Sequence, residues 1–249
     1  MLEELSRVFA IITSLADLEN IRSLLVQTMD TRSKVVRAAA AKTLAASLLS
    51  VMGESPSKDN LGEGKKLETK KKKTSKAEDP EDGRLSPVLA KSPPFTIQFR
   101  DLLRHLSSPY TSRSGNRQIR AGVVLSYAYV LKSVRGQFTN SNYSTILEHL
   151  LTDLASNPHI MEDRHRSLEA RKHVQFLLCD VIRRKLLNEP AKTMALHSLI
   201  DVVQKGNTAR KGNQQEAEAL SVESTVSALN ELAGLLQDLG SAISSEQVT

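Results

Sequence analysis

Two stretches decide the fold: Asp30-Thr-Arg-Ser-Lys-Val-Val36-Arg37-Ala-Ala-Ala40 and Asn116-Arg-Gln-Ile119-Arg120-Ala-Gly-Val123. Each sets an apolar residue, then Arg, then small residues near the start of an apolar stripe with helical spacing. The two Arg residues stand 83 positions apart. Between them, the forty residues from Gly53 to Ser92 show no periodicity, and leaving them out reduces the spacing to 43. Paired helices repeat at such a period, each pair burying one face against the next. Arg37 and Arg120 read as structural residues, each paired with an acid or a carbonyl inside its repeat, and not as ligand sites.

Outward from these two stretches the pattern is helix after helix. Leu5, Val8, Phe9, Ile12 and Leu15 recur at helical spacing, and Asp17 is placed to cap a second helix with Leu18, Ile21, Leu24 and Leu25. Ser33 is placed to cap a third, whose stripe is Val36, Ala40, Leu44, Leu48 and Val51, with Ala38 to Ala41 allowing close approach of a neighbour. Order returns near Phe95, where Thr96 is a candidate cap for Ile97, Leu102, Leu103 and Leu106. Ser107 to Gly115 reads as a loop, and the stripe Ile119, Val123, Tyr127, Val130 and Val134 reads as closed by Gly136. Ser141 or Asn142 opens a helix with Tyr143, Leu147, Leu150, Leu151 and Leu154, and Asn157-Pro158 breaks it. From Asp163 to Leu187 the inward stripe is Ala170, Val174, Leu178, Val181 and Ile182, with Arg183, Arg184 and Lys185 facing the negative end of the helix dipole. Asn188-Glu189-Pro190 enters a helix with Leu196, Leu199, Ile200 and Val203; Gly206 to Gln215 reads as a polar loop. The last helix is expected over Glu216 to Ser244, and its near-heptad run Val222, Leu229, Leu236 and Ile243, with Leu232 and Leu239, reads as its inward face, which leaves Leu235 outside.

Composition agrees with an all-α chain. Of 249 residues, 40% are hydrophobic and only 4% aromatic, with no Trp, which disfavours a large sandwich or barrel. One cysteine, Cys179, excludes an intrachain disulfide and a multi-thiolate zinc cluster. The net charge of +6 is concentrated: Lys58 to Lys76 holds eight Lys against three acidic residues. That tract lies in a segment rich in Lys, Glu, Asp, Ser, Pro and Gly, which cannot bury enough apolar surface to offset its ordering entropy. The division is therefore helices over 1–52, a disordered Lys-rich insertion over 53–92, and helices continuing the same solenoid over 93–249. The N-terminus has no signal-peptide pattern, and no apolar run is long enough to span a bilayer.

The 43-residue period, the helix pairs and the Val-Arg or Ile-Arg step resemble HEAT repeats, about four antiparallel pairs of them in one α-solenoid. A narrower resemblance covers Asn116 to about Ser244. The words Asn116-Arg-Gln-Ile-Arg-Ala-Gly-Val123, Ser126-Tyr127-Ala-Tyr-Val130, His149-Leu-Leu-Thr-Asp-Leu154 and Ala228-Leu-Asn-Glu-Leu-Ala-Gly-Leu-Leu-Gln-Asp-Leu239 occur in that order. They are similar to the N-terminal region of the HEAT repeat-containing protein 5 family, whose fungal members are called the large accessory protein of the clathrin adaptor complex. The resemblance is weaker from Val35 to Met52 and absent from the Lys-rich insertion. It implies a long cytosolic scaffold that assists adaptor- and clathrin-dependent traffic between the trans-Golgi network and endosomes, peripheral to those membranes and to clathrin-coated vesicles. It implies the clathrin adaptor complex and its accessory proteins as partners, no cofactor and no catalytic residue. Members of that family are much longer. Met1 falls on an early turn of a repeat helix and the last helix lacks a polar capping repeat, so the chain reads as a fragment of a longer solenoid.

Phosphate-loop, nucleophile-elbow and His-Glu-x-x-His motifs are missing. His165, Glu169 and His173 fall on one helix face at metal-ligand spacing, but Arg164, Arg166, Arg171 and Lys172 surround them and repel a cation, so the face reads as solvated. Asp101 and His105 read as a helix-surface pair, and Cys179 as a small core residue rather than a nucleophile. Lys70 to Lys73 is open to three readings: a solvated linker, a nuclear-import signal, or a polybasic patch for anionic lipid or an acidic partner. Ser55-Pro56, Ser86-Pro87 and Ser92-Pro93 are weak candidate sites for a proline-directed kinase. No aromatic residue is interleaved with the Lys run, which disfavours stacking on nucleic acid. The expected function is a non-catalytic trafficking scaffold with no small-molecule substrate; the alternative is a nuclear or nucleic-acid-associated HEAT-repeat scaffold using the basic tract. If 53–92 is dispensable for folding, a short Gly/Ser linker in its place changes stability by a few tenths of a kcal/mol, the scale of loop-length entropy. Thermal unfolding of the two chains measures this, and a loss above about 2 kcal/mol shows that the segment packs.

Overall fold

The computed structural model describes residues 14–52, 95–134, 136–211 and 222–246. The first expected helix, the Lys-rich segment with Lys70 to Lys73, and the three Ser-Pro dipeptides lie outside them. Among the described residues the regular elements are all helical, so the chain is all-α. The elements are α1 (Leu15–Met29), α2 (Lys34–Ser50), α3 (Phe99–Thr111), α4 (Arg117–Ser133), the short α5 (Gly136–Ser141), α6 (Tyr143–His149), α7 (Pro158–Met161), α8 (Arg164–Gln175), α9 (Glu189–Lys211) and α10 (Val222–Glu246). Two of them continue with wider π-helical turns, α6 through Leu150–Ala155 and α8 through Phe176–Arg183. The wide turns suit their apolar pairs: Leu150, Leu151, Leu154 and Ala155, like Leu177, Leu178, Val181 and Ile182, are all buried.

Side-chain caps set most of the helix starts. Ser33, Asn116, Asn157, Asp163 and Asn188 each accept a hydrogen bond from a backbone N–H of the first turn. For α1 the cap is Ser14 and not Asp17. Ser14 Oγ accepts from the Asp17 N–H at 3.2 Å, while Asp17 Oδ2 accepts from the Ser14 N–H at 3.0 Å, a reciprocal capping box. Leu15 therefore opens α1 instead of closing the helix before it. Thr96 is likewise displaced: Gln98 is the cap residue of α3, without a side-chain hydrogen bond. The expected loop from Ser107 is helical to Thr111, although Pro109 has no N–H for the His105 carbonyl. Arg22 Nη1 donates to that carbonyl from α1 at 3.4 Å and takes up the freed acceptor. α4 ends at Ser133, with Val134 rather than Gly136 at its cap, and Gly136 instead opens α5. α9 runs to Lys211, through the stretch that reads as a polar loop in the sequence.

Packing follows the pairs. α1 lies on α2, α3 on α4, α8 on the π-helical end of α6, and α10 on α9. The second members also meet in succession: α2 on α4, α4 on the π-helical end of α8, and α8 on α10. Gly122 lets α4 come close to the first pair, because a Cβ there would stand 2.7 Å from Met29 Sδ. The expected stripe Ala170, Val174, Leu178, Val181 and Ile182 is buried throughout, as are Ala40, Leu44, Leu48 and Val51. Val36, at the start of its stripe, is exposed. The Ile97 N–H donates to the Val51 carbonyl at 2.7 Å, so the two described ends of segment 53–94 are held side by side.

α10 turns the other way from its expected phase. Ala228, Glu231 and Leu235 are buried, whereas Leu229 is 45% exposed and Leu236 53%. Of the heptad run Leu229 and Leu236 face out, Leu232 and Leu239 are half-buried, the side chains of Val222 and Ile243 lie outside those described, and Leu235 is inside. The reason is electrostatic: Arg183 reaches Glu231 and Asp238 on the inner face, and a Cβ at Gly234 would fall 2.4 Å from its Nη1. Leu178, 1% exposed, sits in the stripe that carries the pairing. Leu178→Ala is expected to cost about 2–5 kcal/mol in urea unfolding; a cost below about 0.5 kcal/mol contradicts this packing.

Candidate protein-binding groove

The face of His165, Glu169 and His173, expected to be solvated, is so only at His165; Glu169 and His173 are half-buried against neighbouring helices. His165 is exposed at the start of α8, and the His165 N–H is taken by Asp163 Oδ1 at 2.8 Å. Glu169 points to α4, where its Oε2 is 2.6 Å from Arg120 Nη2. His173 Nδ1 lies 3.0 Å from the hydroxyl of buried Tyr110. The three side chains thus face three different partners, and among the described residues no group of His, Cys, Asp and Glu converges on a metal-sized space. The Asp101–His105 pair is also replaced: Asp101 meets Arg104, and His105 Nδ1 lies 2.9 Å from Glu19 on α1. Cys179 is half-buried, and its Sγ accepts from Arg183 Nη2 at 2.8 Å, so its surroundings are not purely apolar.

Arg120 fills the structural role expected of it. Its Nη1 donates to the Gly115 carbonyl at 2.7 Å and its Nε to Glu169 at 2.8 Å, with the side chain 8% exposed. Arg37 is half-exposed and pairs with no acid among the described residues, unlike its counterpart. Around Arg120, the amino ends of α4 and α8 leave a groove of about 420 Å³ between them. Arg117, Arg166, Lys172 and Leu168 line its walls, with Arg120 and Glu169 beneath. Arg117, 85% exposed, reaches Glu169 only at 3.6 Å. Arg166 Nε is 3.6 Å from Asp163, and its Nη2 donates to the Arg113 carbonyl at 3.4 Å. Hydrogen bonds from the His165 and Arg166 N–H groups hold the Asp163 carboxyl below its ordinary range. The lining carries four cationic side chains against two carboxylates, and both helix amino ends add positive potential.

Two further polar clusters lie inside. Tyr127, fully buried, donates to the Leu103 carbonyl at 3.1 Å and lies 2.8 Å from His149 Nε2; His149 Nδ1 is 2.7 Å from Asp153. The hydrogen bond from His149 lowers the Asp153 carboxyl, and burial raises the Tyr127 phenol well above its usual value. This line ties α3, α4 and α6 together. The second cluster is Arg183 with Glu231 at 3.0 Å and Asp238 at 3.1 Å. The sequence reads Arg183 as facing the negative end of its helix dipole; its side chain, 10% exposed, also reaches across to α10. Burial raises the Glu231 carboxyl, Arg183 pulls it back and Asp238 pushes it up again, leaving it at about 7. Only the His149–Asp153 spacing of four residues marks either cluster in the sequence; the other partners lie on different helices.

Compared with known proteins, the chain matches no family model and no solved structure. No helix of the described residues is long and apolar enough to cross a membrane.

The raised Glu231 has a pH consequence. Its folded value near 7 exceeds the ordinary 4.5, so between those values the folded state binds more protons than the unfolded chain. The stability it contributes is full below pH 4.5 and lost as pH rises through 7. His173, held below its ordinary value by burial, acts with the opposite sign below its unfolded value of 6.5, so the comparison is made against Glu231→Gln. In urea unfolding, the variant is expected to gain on the natural chain between pH 5 and pH 8, by about 1–3 kcal/mol. A pH-independent difference refutes the assignment.

Proposed function

We propose that the chain is a non-catalytic HEAT-repeat scaffold assisting clathrin-adaptor-dependent vesicle traffic between the trans-Golgi network and endosomes. In this reading the four helix pairs α1–α2, α3–α4, α6–α8 and α9–α10 form an α-solenoid that holds other proteins through folded, extended surfaces. The order of contacts supports it: each second helix packs on the second helix of the next pair, α2 on α4, α4 on α8 and α8 on α10. The buried residues of the resemblance, among them Val123, Tyr127, Leu150 and Leu154, belong to these helices. The expected partners are the clathrin adaptor complex and its accessory proteins, met at the cytoplasmic face of the membranes. No cofactor, metal or catalytic residue takes part.

The test is fluorescence imaging of the tagged full chain and two variants. Lys70, Lys71, Lys72 and Lys73 changed together to Ala are expected to leave it on Golgi and endosomal structures. Leu151→Pro, at a fully buried position on the π-helical end of α6, is expected to abolish recruitment by breaking a helix of the stack. A Lys variant that turns diffuse while the Pro variant stays localised, or a nuclear signal from the natural chain, overturns the reading.

A further inference from the structure

We propose that the groove between the amino ends of α4 and α8 binds a short acidic segment of a partner protein, with an apolar side chain of that segment resting on Leu168. The charge and its availability carry the inference. The groove has an excess of two cationic side chains over carboxylates. Arg120 is committed to Glu169 and the Gly115 carbonyl and forms a fixed floor. Arg117, 85% exposed, and the half-buried Arg166 are held by carboxylates only at 3.6 Å, and Arg166 by the Arg113 carbonyl at 3.4 Å; ion pairs that long are weak enough for an incoming carboxylate to displace. Lys172 is exposed and forms no ion pair with a described residue. Leu168 is 41% exposed on the same wall, an apolar side chain among cations.

The lining favours a protein segment over the other polyanions. Its lining has no Phe, Tyr or Trp as a stacking platform for a base, His165 being its one ring. Its cations line a recess about 420 Å³ in volume, which suits a few side chains better than a duplex backbone or a flat lipid surface. The partner surface goes beyond the trafficking reading and does not depend on where the scaffold acts in the cell.

The experiment is fluorescence anisotropy of the full chain with fluorescein-labelled Gly-Ser-Glu-Leu-Glu-Glu-Glu-Ser-Gly, alongside the same peptide with every Glu replaced by Gln. The acidic peptide is expected to bind at least about tenfold more tightly than the Gln peptide, with affinity falling as salt is raised. Arg117→Glu combined with Lys172→Glu should weaken it at least about tenfold while leaving the circular-dichroism melt unchanged. Lys132→Glu, at the opposite end of α4, should change nothing. Leu168→Ser should weaken the peptide with Leu and leave one with Ala in that place unaffected. Equal binding of the Gln peptide, or an undisturbed double variant, overturns the proposal. So does duplex DNA or a phosphatidylserine vesicle that binds as tightly and is lost in the same double variant. Affinity that rises more than about fivefold when 53–92 is replaced by a linker assigns the groove to the chain's own Glu78, Asp79, Glu81 and Asp82, and overturns the partner assignment too. Lost peptide binding with Golgi localisation intact removes the groove alone; retained binding with a nuclear signal removes the trafficking reading alone.

Discussion

A guanidinium buried to within 8% of full enclosure has to find anions and carbonyls, and Arg120 finds both across a helix interface. Its bond to the Gly115 carbonyl ties the loop before α4 to the helix, and its ion pair with Glu169 ties α4 to α8. Breaking such a pair from one side leaves a buried charge without compensation, which costs far more than the intact pair contributes. The register of α8 on α4 is therefore fixed by one side chain as much as by the apolar stripe beside it. Tyr110, on α3, joins the same cluster through His173, so the third and fourth helices and α8 share one polar seam.

The next interface repeats the device with the roles moved along. Arg183, at the end of α8, reaches Glu231 and Asp238 on α10. Here burial raises the Glu231 carboxyl, Arg183 lowers it, and the partly exposed Asp238 raises it again. The first interface, α2 on α4, uses no buried ion pair among the described residues. Beside it the end of α1 meets α4 by close approach, with Gly122 against Met29 and Asn116 Nδ2 donating to Asp30 Oδ1 at 2.6 Å. Apolar stripes give affinity between helices at all three; the polar or steric detail chooses the register.

That division explains what was legible in the sequence. Local signals were: the stripes of α2, α4 and α8, the caps Ser33 and Asn116, and the break at Asn157-Pro158 follow from residues within a turn or two of one another. Ser14 was harder, because Asp17 is itself a good cap residue, and only the reciprocal geometry places it three positions in. The phase of α10 was not legible at all. Leu229 and Leu236 form a better apolar run than Ala228, Glu231 and Leu235, and nothing short of Arg183, 48 residues earlier than Glu231, reverses the choice. The groove escaped for the same reason: Arg117 and Lys172 are 55 residues apart and meet only because Arg120 holds Glu169.

A groove built in this way inherits its shape from the ion pair beneath it. Arg120 and Glu169 are out of reach of a ligand's charge because each already satisfies the other, so they act as a fixed floor. The cations that remain available stand on the walls, where Arg117 and Arg166 meet their carboxylates only at 3.6 Å. The same four cationic side chains therefore do two kinds of work: the enclosed Arg120 sets the distance between α4 and α8, and the more open three give that space its positive charge. Had Arg120 been exposed as well, the groove would carry more charge but no defined width. Had Arg117 and Lys172 been buried, the interface would be tighter and the groove closed.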